Sequence, residues 1–401
     1  MEKQFSSMSI NATEIGKAED KCNINCTQFP SDFVFGVGSS AYQGKLVANS
    51  FIKMRVTGRI DDGSNGNVAA DMYTKYKDDI KMMRSMGFDA YRFSISWSRI
   101  LPGGRLSLGV NKEGIDYYND LIDTIIANVF ATRVRWLLKK RRGEHQKGQI
   151  GIALNTLWCE PYKKGDADDI EAVKRAMDFV MGWFLEPVLT GKYPKTMIDC
   201  VPCENLAAFS DGETEMLKGS VDFLGLNYYT GVFAANDPNP THIGYLGDQR
   251  LEISFSDANG KALGPQAGSF WLHMYPQGMY NMLIKYVNDK YGDKIPAIYI
   301  TENGWDEKND EKLKVKDACV DSMREDYHKS HLVYLLKSMK EMTVPANVKG
   351  YFAWSWCDNF EWAQGYTVRF GLIYIDYKNN QKRYPKTSAR WFAKFLGGRN
   401  F

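Results

Sequence analysis

A carboxylate closes a short apolar run near the C-terminal third of the chain. Ala297, Ile298, Tyr299 and Ile300 read as a buried strand, and Glu302 follows them just before a turn at Gly304, in "YITENGWDE". Such a glutamate could cap the turn or pair with an arginine. It could also stand at the C-terminal end of a strand, where parallel barrels hold their chemistry. A carboxylate in that place can serve as nucleophile, as general acid or base, or as acceptor for a polar ligand. Further candidates fall at or beyond comparable strand ends. They are Arg92 in "YRFSISWSRILP", Asn227 and Tyr229 in "GLNYYTG", and Trp354, Glu361 and Trp362 in "FAWSWCDNFEWAQGYTVRFGLIYIDY". Flat rings suit the apolar faces of sugars, and the chain holds 10 Trp, 23 Tyr and 21 Phe; a large aromatic core would account for the same numbers.

The elements that must position these residues alternate. Strands are expected at 33–40, 88–97, 149–158, 221–229, 297–303 and 348–356. Between the first two, Met72, Tyr76, Ile80 and Met83 recur on one helical face, with Gly87 as a C-terminal stop. After the second strand, Ile115, Tyr118, Leu121, Ile122 and Ile125 mark another amphipathic helix. Strand and helix in alternation predict a parallel α/β fold. Residues 129–146 are unlike the rest, with Lys139, Lys140, Arg141 and Arg142 in a row and no clear period. Such a run fits a solvated face, a nuclear import signal, a nucleic-acid contact or a sequence junction. Within it, 129–137 is long enough for one strand.

Composition narrows the classes. With 401 residues, 44% of them hydrophobic, the chain can bury a large core. Its 51 basic and 48 acidic residues give a net charge of +3, which favours neither nucleic acid nor acidic partners. Seven cysteines cannot all pair with one another. Cys200 and Cys203, like Cys22 and Cys26, lack a second half or a nearby histidine at zinc spacing, so no metal is expected. The N-terminal residues lack the apolar stretch of a signal peptide, which leaves a cytoplasmic location as the default, and no run reaches membrane-spanning length. The sequons at Asn11 and Asn25 carry little weight without an export signal.

Taken together, "YRFSISWSRILP", "GLNYYTG", "YITENGWDE" and "FAWSWCDNFEWAQGYTVRFGLIYIDY" resemble the plant β-glucosidases of glycoside hydrolase family 1. The similarity runs along about 29–128 and 147–399. It implies a (β/α)8 TIM barrel, no cofactor, and hydrolysis of a small-molecule β-glucoside with retention of configuration. Retention uses two carboxylates about 5 Å apart, one as nucleophile and one as acid and then base. The resemblance makes Glu302 the nucleophile and Arg92 and Tyr229 the donors that hold it. It assigns Gln43, Asn227, Glu361 and Trp362 to sugar binding, and lays Trp354 under the sugar ring.

One half of the pattern is missing. The family's Asn-Glu-Pro after strand four, which supplies the acid/base, and its His-Trp after strand three occur nowhere in the 401 residues. Glu160-Pro161 and Glu186-Pro187 are present, but their surroundings match the family's fifth strand and the segment beyond it. Only 61 residues separate the starts of the strands at 88 and 149, where three barrel units need roughly 90. An incomplete barrel lacking the region of strands 3 and 4 is therefore expected. Residues 1–28 are expected as a flexible N-terminal extension and 29–401 as one barrel domain with an unmatched junction at 129–146. A second departure is Gln43-Gly44-Lys45, where the family follows its glutamine with Glu-Gly. These losses point to a β-glucosidase of doubtful activity or to a catalytically impaired homologue that binds a sugar or a partner.

Overall fold

The computed structural model describes residues 21, 23–44, 60–128, 148–342 and 347–398. The basic run at Lys139–Arg142, the possible strand at 129–137 and the junction at 129–146 lie outside the described residues. Six parallel strands form the main sheet: β1 (Val34–Gly38), β2 (Ala90–Arg92), β3 (Gly151–Pro161), β4 (Phe223–Asn236), β6 (Ala297–Asn303) and β7 (Val348–Trp354). Their order is β2-β1-β7-β6-β4-β3, and β5 (Leu251–Ser254) adds antiparallel to the end of β4. In a closed barrel the chain-order neighbours at the two ends would be joined through two more strands. Here β2 pairs only with β1, and β3 only with β4, among the described residues.

All six strands arise where aromatic and small residues cluster, but their lengths differ from the sequence pattern. The ladder of β2 stops at Arg92, and Trp97–Ile100 turns into a short helix. An edge strand has one partner instead of two, so less holds its tail extended. Conversely, β4 runs on to Asn236 because Phe233–Asn236 gains β5 as a partner. Nothing in the alternation marks the four residues of β5 in advance.

Helices cover the outer face of this sheet. Helix α1 (Met72–Ser85) buries Met72, Ile80 and Met83, and Gly87 beyond it takes a left-handed φ of 88°. A left-handed residue there lets the chain leave the helix, and glycine adopts it without a Cβ clash. Asp79 lies on the same buried face and is held by Arg383 through contacts of 3.0 and 2.9 Å. Helix α2 (Lys112–Asn128) packs Tyr118, Leu121 and Ile125 against Ile80. Leu224, Leu226, Ile298, Ile300, Val348 and Tyr351 on the strands meet Met282, Leu283, Leu332 and Leu335 in the main core. Each fully buried side chain of this kind stabilises the fold by about 1.5–3 kcal/mol. This outer core leaves the C-terminal rim of the strands to polar side chains.

Candidate active site

The ladders set the candidate residues on one rim. Arg92 is level with Gly38, and Gly38 with Trp354. Ala353 is level with Asn303, and Glu302 with Asn227. Four strands thus deliver their last residues, and β4 its Asn227, to the same height. Gly304 permits the turn that follows, because a Cβ there would lie 2.0 Å from the Trp354 carbonyl oxygen. The close approach of two backbones, rather than a special φ, demands glycine.

Glu302 is held on both oxygens. Arg92 Nη1 donates to Oε1, and the Tyr229 hydroxyl donates to Oε2 at 2.5 Å. Burial, and after it the negative charge of Glu302, pushes the Tyr229 hydroxyl well above its usual range, so it stays a donor. The two donors fix the carboxylate's orientation. Behind the rim, Tyr327 donates to the Tyr229 carbonyl at 2.6 Å, while Asn303 donates to Tyr327 at 3.0 Å and accepts from Tyr351 at 2.6 Å. Tyr327 comes from helix α3 (Ser322–Glu341), and no motif in the sequence marks it for this task.

A second polar group lies beyond β7. Gln43 donates to Asn359 Oδ1 and to Glu361 Oε2, both at 3.0 Å. Burial, with the charges of Asp306 and Glu302 after it, raises the Glu361 carboxyl well above the usual carboxylate range. Its Oε1 is buried and has no hydrogen-bond partner among the described residues. The loop carrying these residues is anchored by Asp358, which meets Lys386 at 2.7 Å and Arg369 at 2.6 Å. Burial alone would raise the Asp358 carboxyl; the two cations outweigh it and hold it low. Trp354 is buried, whereas Trp362 is 43% exposed and stacks on Tyr42 with centroids 5.4 Å apart. The Asn227 side chain accepts from Thr301 at 2.8 Å. No pattern in the sequence marks Asn359, two residues before Glu361 in the same motif.

Neither Glu-Pro glutamate joins Glu302. Glu160 Oε1 accepts from Trp158 at 2.7 Å, Tyr275 at 2.8 Å and Asn281 at 3.0 Å. Its ladder partner is Phe233, six residues past the Asn227 that is level with Glu302. At about 3.3 Å per residue that is roughly 20 Å along the strand. Glu186 lies in the helix Trp183–Thr190 and pairs with Lys290 at 2.9 Å. Cys200 and Cys203 are both thiols, and among the described residues no group of His, Cys, Asp and Glu is arranged to hold a metal. Among the described residues, no helix is long and apolar enough to cross a membrane.

Polar strand-end residues gather on one rim of a parallel α/β sheet, the place where barrel enzymes carry their sites, and the chain belongs to glycosyl hydrolase family 1. The family profile matches residues 25–137 and 128–401, two stretches that meet at the junction. The chain is 38% identical to beta-glucosidase 11 of Oryza sativa subsp. japonica over 486 aligned positions, spanning 93% of this chain and 90% of that one. It is 35% identical to raucaffricine-O-beta-D-glucosidase of Rauvolfia serpentina, over 96% and 94% of the two chains. A crystal structure of a rice β-glucosidase superposes with a TM-score of 0.84 at 34% identity, covering 93% of this chain and 99% of that one. The alignment of 486 positions exceeds the 401 residues here, so the relative carries stretches this chain lacks. The fold is thus the family's (β/α)8 barrel in incomplete form, and by family the chain is a glycoside hydrolase.

Proposed function

We propose that the protein is a retaining β-glucosidase in which Glu302 attacks the anomeric carbon and forms a glycosyl-enzyme intermediate. The carrying observation is the pair of donors, Arg92 and Tyr229, one on each oxygen of Glu302. They aim the carboxylate, as a nucleophile requires. A rice β-glucosidase mutant at 34% identity was captured in a covalent complex with glucose, which supports the same chemistry here. Gln43 and Glu361 present hydrogen-bonding atoms to sugar hydroxyls, Asn227 flanks the nucleophile, and Trp354 and Trp362 offer aromatic faces to the ring.

The second half of the mechanism is impaired. Without an Asn-Glu-Pro glutamate, departure of the aglycone and attack of water go unassisted. Substrates are therefore small β-glucosides whose aglycone leaves as a stable anion. The second reading, a sugar-binding homologue without turnover, draws on the same missing motif. An activated 2-deoxy-2-fluoro-β-glucoside separates the two. A label that maps to the peptide holding Glu302 supports the nucleophile; mapping to another carboxylate, or sugar binding without any label, sinks it.

A further inference from the structure

A groove of about 430 Å³ shares no residue with the strand-end rim. One wall is the helix Val315–Ala318 with the two residues after it; the other is the strand Lys382–Pro385 and the start of the helix Thr387–Phe395. Val315, Val320, Tyr384 and Pro385 make its exposed lining almost wholly apolar. Val320 leaves 63% of its surface to water, and a ligand laid on it would remove that surface from solvent. Cys319 lines the groove as well; burial raises its thiol, so the sulfur is neutral and adds to the apolar lining. The two walls are tied together. The Thr387 amide donates to the Cys319 carbonyl at 2.9 Å, its hydroxyl donates to Asp321 at 2.5 Å, and the Ser388 amide donates to the same carboxylate at 2.8 Å.

Charge identifies the occupant. Among the residues lining the groove, Lys316 and Arg390 are cations, and none is acidic. Both are exposed, and neither side chain is paired with a carboxylate among the described residues. Lys386, between Pro385 and Thr387 in the chain, is by contrast buried and committed to Asp358 at 2.7 Å. We infer that the groove binds a small monocarboxylate with an apolar alkyl or aryl body. The carboxylate lies between Lys316 and Arg390, and the body covers Val315, Val320 and Pro385. Arginine meets a carboxylate with its planar fork and lysine as a point charge, so the two share one anionic head. An apolar amine would meet like charge there, and a neutral alcohol would leave both cations unused. Clefts from about 300 Å³ upward hold small ligands, and this one is within that range. The site is independent of Glu302 and of its proposed role.

The test uses the full chain and a decanoate that carries a photoreactive diazirine in its alkyl chain, with the matching alcohol and amine as controls. After irradiation, labelled peptides are mapped by mass spectrometry. The carboxylate probe is expected to label peptides holding residues 315–320 or 384–390, to be displaced by plain decanoate, and to outdo both controls at those peptides. Exposed ion pairs are worth roughly two- to five-fold each, so the double variant Lys316→Gln, Arg390→Gln should lose about four-fold or more of that label. Lys316→Arg keeps the charge and should keep the label, and circular dichroism establishes that each variant folds. Label confined to other peptides, equal labelling of these peptides by the alcohol, or undiminished labelling of the folded double variant overturns the inference.

Discussion

Glu160 and Glu302 both end strands of one sheet, yet they are held by different layers of the molecule. Glu160 takes its hydrogen bonds from Trp158 and from Tyr275 and Asn281 in the helix layer, whereas Glu302 takes its own from β2 and β4. A pair of catalytic carboxylates must face one bond from two sides. These two do not.

Glu160→Gln should therefore leave hydrolysis of an activated aryl glucoside within about two-fold of the parent. It weakens one acceptor of three hydrogen bonds, so a stability loss of about 1 kcal/mol is expected. Parallel kinetics and thermal melts check both halves. A hundred-fold loss of rate in a folded variant would show that Glu160 supplies the proton after all.

Tyr229→Phe removes one of the two donors on Glu302 while keeping the ring. Loss of a preorganised donor costs about 10²-fold or more in related settings, so labelling by the fluoro-glucoside should slow by about that factor. Circular dichroism would establish that the variant folds. Labelling at the parental rate would remove Tyr229 from the site.

Leaving-group ability should govern turnover. A missing acid matters most when the aglycone is a poor anion, so an alkyl glucoside should fall behind a dinitrophenyl glucoside by roughly 10²–10⁴-fold more than in a family member with its acid/base. Measuring kcat/KM for both substrates on this protein and on a full-length relative gives the comparison. Equal ratios would mean that another residue donates the proton.

The pH dependence of stability should carry the mark of Glu361. Burial raises its folded-state pKa, so the native state holds the proton where the unfolded chain has lost it. That contribution is present below the unfolded carboxylate range, about 4.3, and is lost as pH rises through the folded value. Glu361→Gln keeps an acceptor for Gln43 and removes the titration. Its melting temperature should decline less with rising pH than that of the parent; parallel curves would deny Glu361 this role.

Two strand edges without a partner among the described residues should make the chain fragile. Beside β2, Ile95 and Trp97 are 58% and 67% exposed, and along β3 a cleft of about 310 Å³ is walled by Phe179, Trp183, Phe184 and Tyr245. Unpaired edges next to apolar surface recruit other chains. Calorimetry with a hydrophobic dye should find a low, broad transition and dye binding at ambient temperature. One sharp transition at an ordinary mesophilic temperature without dye uptake would mean that the edges are covered.

Local patterning was enough to place the six parallel strands and the first two helices, because apolar periodicity and glycine stops act within a few residues. The motif residues around Glu302 were legible through their resemblance to the family's motifs, and the missing Asn-Glu-Pro was plain in the sequence itself. Residue order could not tell which side of the sheet Glu160 serves, since a bulge between Thr156 and Trp158 shifts its register against β4. Nor could it find Tyr327 and Asn359, which matter only because distant segments meet. The short reach of β2 and the extra length of β4 were likewise decided by partners, one lost and one gained. Hydrogen bonds across a sheet join residues that the chain keeps far apart, and only the folded molecule settles those pairings.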